Sequence, residues 1–110
     1  MPSLVEMNCK ELPAGTPALG RARIDALLKG VPGWSYDGKV ITKTYSFKNY
    51  YETIAFVNAV AWVVHREDHH PDMSVGYNRC RVDFNTHSIG GISENDFICA
   101  AKIEALTPSP

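Results

Sequence analysis

The chain has 110 residues, 45% of them hydrophobic and 21% charged, with a formal net charge of −1. That length suffices for one domain with a real core and excludes two, and the near-neutral balance offers no basic field for nucleic acid. Three widely spaced cysteines, Cys9, Cys80 and Cys99, make neither a disulfide framework nor a zinc-finger pattern and suit a reducing compartment.

Residues 1–18 carry Pro2, Pro13, Gly15 and Pro17 without a sustained period and read as an irregular, partly mobile leader. The start has no basic run and no apolar core, so no secretory signal is expected. A single domain is expected over residues 19–107. Leu19, Ile24, Leu27 and Leu28 fall near helical spacing and predict a short amphipathic helix that stops at Gly30 and Pro32.

Trp34 to Phe47 reads as a hairpin, with Asp37-Gly38 supplying the positive φ angles of a tight turn. Ile41, Tyr45 and Phe47 share one parity and Thr42, Thr44 and Ser46 the other, so one face of the second strand is buried. Asn49 and Glu52 form a capping pair at the start of the main helix, residues 50–68. Pro71 implies that this helix ends by about His69. Ile54, Val57, Ala61 and Val64 line one stripe, and Phe56, Val60 and Val63 another, with Trp62 between them. One sheet cannot cover so wide an apolar surface, which predicts a second helix or another subunit against it. The apolar run 54–64 is too short to span a bilayer, and a cytoplasmic protein is expected.

Residues 73–77 and 80–87 predict a second hairpin with its turn at Asn78-Arg79. Cys80, Val82, Phe84 and Thr86 share the buried parity, which sets His87 at the strand's end on its polar face. Gly90-Gly91 makes a flexible turn. Ser93 then caps a last helix with Asp96 at its third position, and Phe97, Ile98, Ala101, Ile103 and Leu106 form its buried side before Pro108 and Pro110. The element order α-β-β-α-β-β-α predicts an α+β fold, a four-stranded antiparallel sheet with three helices packed on one face.

Residues 65–72, His-Arg-Glu-Asp-His-His-Pro-Asp, concentrate three of the four histidines. Histidine titrates nearest neutrality, so the cluster points to acid–base work or metal binding. His65 and His69, four apart on a helix, are about 40° apart around its axis and could pair on a metal with His87 as third ligand. A glutamate directly after the first histidine, as in zinc-binding HExxH helices, is absent, and metal-free proton transfer is the preferred reading. His70, before proline, leaves the helix and points away from His69, so the pair can address two sides of one cavity. A single exposed histidine at a helix C-terminus needs no function beyond the helix dipole. Two in tandem between Asp68 and Asp72 suit proton transfer, of which elimination of water is one case.

His69-His70-Pro71, Tyr77 after five residues, His87 after nine more and Asp96 after eight more resemble the signature of the pterin-4a-carbinolamine dehydratase family. Thr86 to Phe97 is similar to its second block, and the likeness runs from about Val31 to Leu106, with Pro32-Gly33-Trp34 also fitting. The resemblance implies an α+β enzyme that dehydrates 4a-hydroxytetrahydropterin to quinonoid dihydropterin, without metal or cofactor, as a homodimer or homotetramer. It also implies a functional link to aromatic amino acid hydroxylases, whose cofactor the reaction recycles. By position, His69 and His87 assist loss of the hydroxyl, and His70 binds the pterin and helps take the N5 proton. Asp68, Pro71, Asn85, Thr86 and Ser88 line the substrate, and His65 and Asp96 support the site. The family commonly carries a carboxylate where this chain has His65. Glu67 is no simple replacement, because two helical steps turn it about 200° away. Three alternatives stand beside the dehydratase: an oligomerising, coactivator-like binding module, a metal-dependent hydrolase using His65, His69 and His87, and a pterin-binding role in another pathway such as molybdopterin-related metabolism.

Overall fold

A computed structural model of the chain describes residues 3–106. The elements are α1 (Arg21–Leu28), β1 (Ser35–Tyr36), β2 (Ile41–Ser46), α2 (Tyr50–Glu67), β3 (Asp72–Val75), β4 (Arg79–Phe84) and α3 (Glu94–Glu104), in the expected order. Pro108 and Pro110, assigned to the end of the last helix, lie outside the described residues, as do Met1, Pro2 and Thr107. No helix among the described residues is long and apolar enough to cross a membrane.

The sheet is antiparallel throughout, with strand order β1-β2-β4-β3. Parity does the sorting. Ile41, Tyr45, Cys80, Val82 and Phe84 are buried and pair across β2 and β4, whereas Thr44, Ser74 and Arg81 on the other parity are exposed. Above the buried face α2 contributes Thr53, Phe56, Val60 and Val64 at helical spacing, and α3 contributes a nearly continuous buried run from Asn95 to Ala101. Phe56 packs against Tyr45 at 4.6 Å and Phe47 at 5.1 Å between ring centroids, seating α2 on β2. Burial of each such side chain stabilises the fold by about 1.5–3 kcal/mol. Leu106, expected on the buried side of the last helix, is exposed, because α3 ends at Glu104.

Both hairpin turns sit one residue from where the sequence suggests. Asp37 N–H bonds to Val40 O at 3.2 Å, so Gly38-Lys39 are the turn residues and Gly38 alone takes the positive φ, +101°. Asp37 instead uses Oδ1 to accept from the backbone N–H groups of Lys39 and Val40 at 2.9 Å each, an Asx arrangement. In the second hairpin Gly76 N–H bonds to Arg79 O, which puts Tyr77-Asn78 in the turn. That turn is tied to the fold by Phe47 N–H on Asn78 O and by the buried Thr53 hydroxyl, 2.9 Å from Tyr77 O.

The leader makes one 3-10 turn at Leu4–Glu6 and is then tied to α2 and α3 at Cys9 and Lys10. Cys9 N–H donates to Glu67 Oε1 at 2.7 Å, and Lys10 exchanges two hydrogen bonds with the Asn95 side chain at 3.0 and 2.7 Å. Farther on, Leu19 N–H bonds to Ile92 O, and a Cβ at Gly91 would stand 2.7 Å from the Ala18 side chain. Glycine is required there by that close approach.

At the sheet's far end Glu104 gathers Lys43 Nζ at 2.7 and 2.9 Å, Tyr45 Oη at 2.7 Å and Trp34 Nε1 at 3.3 Å. Burial pushes the Glu104 carboxyl up, and the bonds from Lys43 and Tyr45 pull it below the usual glutamate range. The same burial, with the Glu104 hydrogen bond, pushes the Tyr45 hydroxyl far up.

Candidate active site

The end of α2 is where the histidines are aimed. Asn49 Oδ1 accepts from Glu52 N–H at 2.9 Å and starts the helix, with Glu52 reaching back to Lys48 N–H rather than to the cap's own. At the other end Asp68 takes φ 53° and ψ 41°, the only non-glycine residue with positive φ among those described. A left-handed cap usually falls to glycine or asparagine, and the short aspartate side chain tolerates it. This reversal, with His69 N–H on Val64 O at 3.2 Å, swings His69 under the helix, while His70 stays exposed beside Pro71.

His69 is 14% exposed and meets a carboxylate that is fully buried: Nε2 lies 2.5 Å from Asp96 Oδ1. Its ring stacks on Phe84 with centroids 5.8 Å apart and planes 11° apart. Asp96 Oδ2 accepts from the Thr86 hydroxyl at 2.8 Å and from Ser93 N–H at 2.9 Å. The Thr86 and Ser93 hydroxyls are themselves 2.7 Å apart. Both oxygens of the buried carboxyl group thus have hydrogen-bond partners. With Nε2 engaged by Asp96, Nδ1 is the ring nitrogen left for exchange. Nδ1 has no hydrogen bond among the described residues, and no buried side-chain nitrogen there lacks one, so Nδ1 is reachable by solvent.

His69 borders two hollows, and a third lies beside His87. A cleft of about 430 Å³ is lined by His69, Asp68, Thr86, Ser88, Glu67 and Asn95, with leader residues Cys9 to Leu12 as its far wall. A second of about 310 Å³ holds His65, Asp68, His69, His70, Pro71 and Met73. A third of about 410 Å³ holds His87, Asn85, Tyr36, Lys39 and the Gly90-Gly91 turn. His69 and Asp68 border the first two, so His69, His70 and His65 are neighbours. Thr86 and Ser88 open on the first hollow while Asn85 and His87 open on the third.

His87 does not end a strand. β4 stops at Phe84, where its partner β2 begins at Ile41, and Thr86 makes an isolated bridge to Gly91. His87 then opens a 3-10 turn, His87–Ile89, and is exposed. Among the described residues no three His, Cys, Asp or Glu side chains are grouped to hold a metal ion, so the trio His65, His69 and His87 does not converge. Glu67 is committed elsewhere, to Cys9 N–H and to Lys102 Nζ at 3.8 Å.

Sequence reasoning assigned Asp96 a supporting part without seeing that it is the carboxylate against His69. It missed the leader wall, Cys9 to Leu12, entirely. Phe84 was legible as buried by parity, but not as the platform under His69.

The sequence model of the pterin 4 alpha carbinolamine dehydratase family matches residues 17–106. A protein from Nitrosospira multiformis, provisionally named pterin-4-alpha-carbinolamine dehydratase, is 58% identical over 94% of this chain and 91% of its own. One from Nitrosomonas europaea with the same provisional name is 56% identical over 96% of this chain and 95% of its own. The crystal structure of a transcriptional coactivator/pterin dehydratase from Brucella melitensis superimposes with a TM-score of 0.77 at 32% identity, covering 81% of this chain and 97% of that one. A pterin dehydratase-like protein identified as a RuBisCO assembly factor in the alpha-carboxysome superimposes at 0.61 and 25% identity, covering 71% of this chain and 93% of that one.

Proposed function

The chain belongs to the pterin 4 alpha carbinolamine dehydratase family, and on that premise we propose that it eliminates water from a 4a-hydroxytetrahydropterin. The observation that carries the reading is the His69–Asp96 pair, a solvent-reachable imidazole held by a buried carboxylate at the edge of a cleft.

The reaction needs a proton delivered to the 4a-hydroxyl and a proton removed from N5. As the C4a–O bond breaks, the N5 lone pair forms the C4a=N5 double bond; water leaves, and the product is the quinonoid dihydropterin. Protonated His69 is suited to the first task through Nδ1, because the Asp96 carboxylate on Nε2 stabilises the imidazolium and fixes its orientation. His70, exposed in the adjoining hollow, is assigned the N5 proton, and His87 assists from its own turn. Asp68, Pro71, Asn85, Thr86 and Ser88 are assigned to the pterin's surroundings and His65 to support. The chemistry is histidine acid–base catalysis, placed in the cytoplasm and in recycling of the pterin cofactor used by aromatic amino acid hydroxylases.

A positioned general acid or base contributes about 10²–10⁴-fold. The test is the rate of disappearance of 4a-hydroxytetrahydropterin with wild type, His69→Ala and His70→Ala. Wild type should exceed the uncatalysed rate, and each variant should lose about 100-fold or more. Wild type and His70→Ala both running at the uncatalysed rate would remove the enzyme reading.

A second reading, an oligomerising regulatory module, is supported by the exposed face of α2, where Tyr51 and Trp62 are 83% and 70% exposed. Two structural relatives, a transcriptional coactivator/pterin dehydratase and a RuBisCO assembly factor, support it as well. Homodimers or homotetramers are expected under either reading, so only the turnover measurement separates them.

A further inference from the structure

Two of the three cysteines are brought together although 90 residues separate them in sequence: Cys9 Sγ and Cys99 Sγ are 3.4 Å apart. The contact is held from both sides. Cys9 is fixed by its N–H on Glu67 and by the Lys10–Asn95 pair of hydrogen bonds, and its sulfur also lies 3.5 Å from Asn95 O. Cys99 sits in the buried run of α3, its thiol 3.6 Å from the carbonyl of His69. A disulfide has its sulfurs about 2.05 Å apart, so the bond requires an approach of about 1.4 Å. Cys9 is half-buried and lines the His69 cleft, which gives a small oxidant a route to it. Cys80, the third thiol, is fully buried within the sheet.

We propose that Cys9 and Cys99 form a peroxide-responsive dithiol pair whose disulfide fixes the leader wall of the His69 cleft. In the first step the Cys9 sulfur attacks hydrogen peroxide, the O–O bond breaks, and Cys9 becomes a sulfenic acid with release of one water. In the second the Cys99 sulfur attacks the sulfenic sulfur; the S–S bond forms, the S–O bond breaks, and the hydroxyl leaves as water with the Cys99 proton. Two thiols lose two electrons and the peroxide is reduced to two waters. The division of labour follows from exposure: Cys9 borders the cleft, whereas Cys99 is buried, its thiol pushed well up by the Cys9 hydrogen bond and by burial. A thiol reductant reverses the bond, as expected of a pair that switches in a reducing compartment. Oxidation has two local effects: residues 9–12 lose freedom beside His69, and the His69 carbonyl loses its thiol donor. Any effect on turnover rests on the dehydratase reading; the bond itself does not.

The full-length chain is treated with one to two equivalents of hydrogen peroxide, quenched, denatured and assayed for thiols and mass. The expected result is loss of two of the three thiols, a mass lower by two hydrogens, a Cys9–Cys99 linked peptide in a non-reducing digest, and recovery with dithiothreitol. Amide exchange at residues 9–12 should slow at least several-fold in the oxidised form. Cys9→Ser should abolish the linkage and Cys80→Ala should retain it; where Cys80→Ala does not fold, the linked peptide from wild type decides. Over-oxidised single cysteines without a linked peptide, a link through Cys80, or unchanged exchange at residues 9–12 would each overturn the proposal. Dehydratase turnover, measured on the same samples, can be absent without affecting any of these readouts.

Discussion

Replacing Asp96 with asparagine separates the charge of the buried carboxylate from its shape. Oδ1 faces His69 Nε2 at 2.5 Å, and Oδ2 takes Thr86 and Ser93 at 2.8 and 2.9 Å. Asparagine can keep its one oxygen on the Thr86 and Ser93 donors, preserving the start of α3, and then turns its NH₂ to His69. Nε2 must accept where it donated, and the imidazole carries its proton on Nδ1 in the neutral state. A hydrogen bond to a charged group contributes about 1.5–3 kcal/mol. At 1.36 kcal/mol per decade this predicts a fall of about 10- to 150-fold in kcat/KM, carried by kcat. Loss of the charge from that bond should lower Tm by up to about 5–15 °C for a domain of this size. Ser93→Ala is the control: it removes the 2.7 Å contact to Thr86, costs about 1 kcal/mol and leaves the His69 pair intact, so turnover should stay within about twofold. If Asp96→Asn lowers Tm while kcat/KM stays within about twofold, or Ser93→Ala loses as much activity, Asp96 is a helix-cap residue and the positioning argument fails.

Three further outcomes follow from the same geometry. His65→Glu, which places a carboxylate at the position the family commonly uses, should change kcat/KM by less than about fivefold, because Asp96 already serves His69 and exposed charge pairs contribute about 0.2–1 kcal/mol. A gain of two orders of magnitude in steady-state turnover would show that Asp96 does not meet the need. Glu104 has its folded pKa below the usual value, so its stabilisation is present above the unfolded pKa and lost as pH falls through the lower folded one. Lys43→Met should therefore raise the pH midpoint of acid unfolding followed by circular dichroism; an unmoved acid limb contradicts the ion pair's part. Trp62→Glu, at a side chain 70% exposed on α2, should shift the sedimentation mass from oligomer towards monomer, and a wild-type monomer at micromolar concentration would remove the interface altogether.

Much of the fold was readable because it depends on local periods. Asn49 announces α2 by its own side chain, and the alternation from Cys80 to Phe84 fixes which face of β4 is buried. What failed depends on partners distant in sequence. Parity carried His87 onto a strand, but a strand lasts only as long as its neighbour, and β2 begins at Ile41 opposite Phe84. Both turns slipped by one residue because the register is set by pairing across the ladder, not by the turn residues alone. The contact between His69 and Asp96 spans 27 residues, and that between Cys9 and Asn95 spans 86. Neither leaves a periodic trace, so the sequence around α2 does not reveal the partner of His69.

The most direct test of the central claim, that Asp96-held His69 delivers the proton to the departing hydroxyl, is a crystal structure of the wild-type protein with a bound non-reactive dihydropterin. The pterin should occupy the hollows shared by His69 and Asp68, its C4a region within hydrogen-bond reach of Nδ1 while Asp96 keeps Nε2. A pterin bound away from His69, or one whose C4a region faces His87 alone, would contradict it.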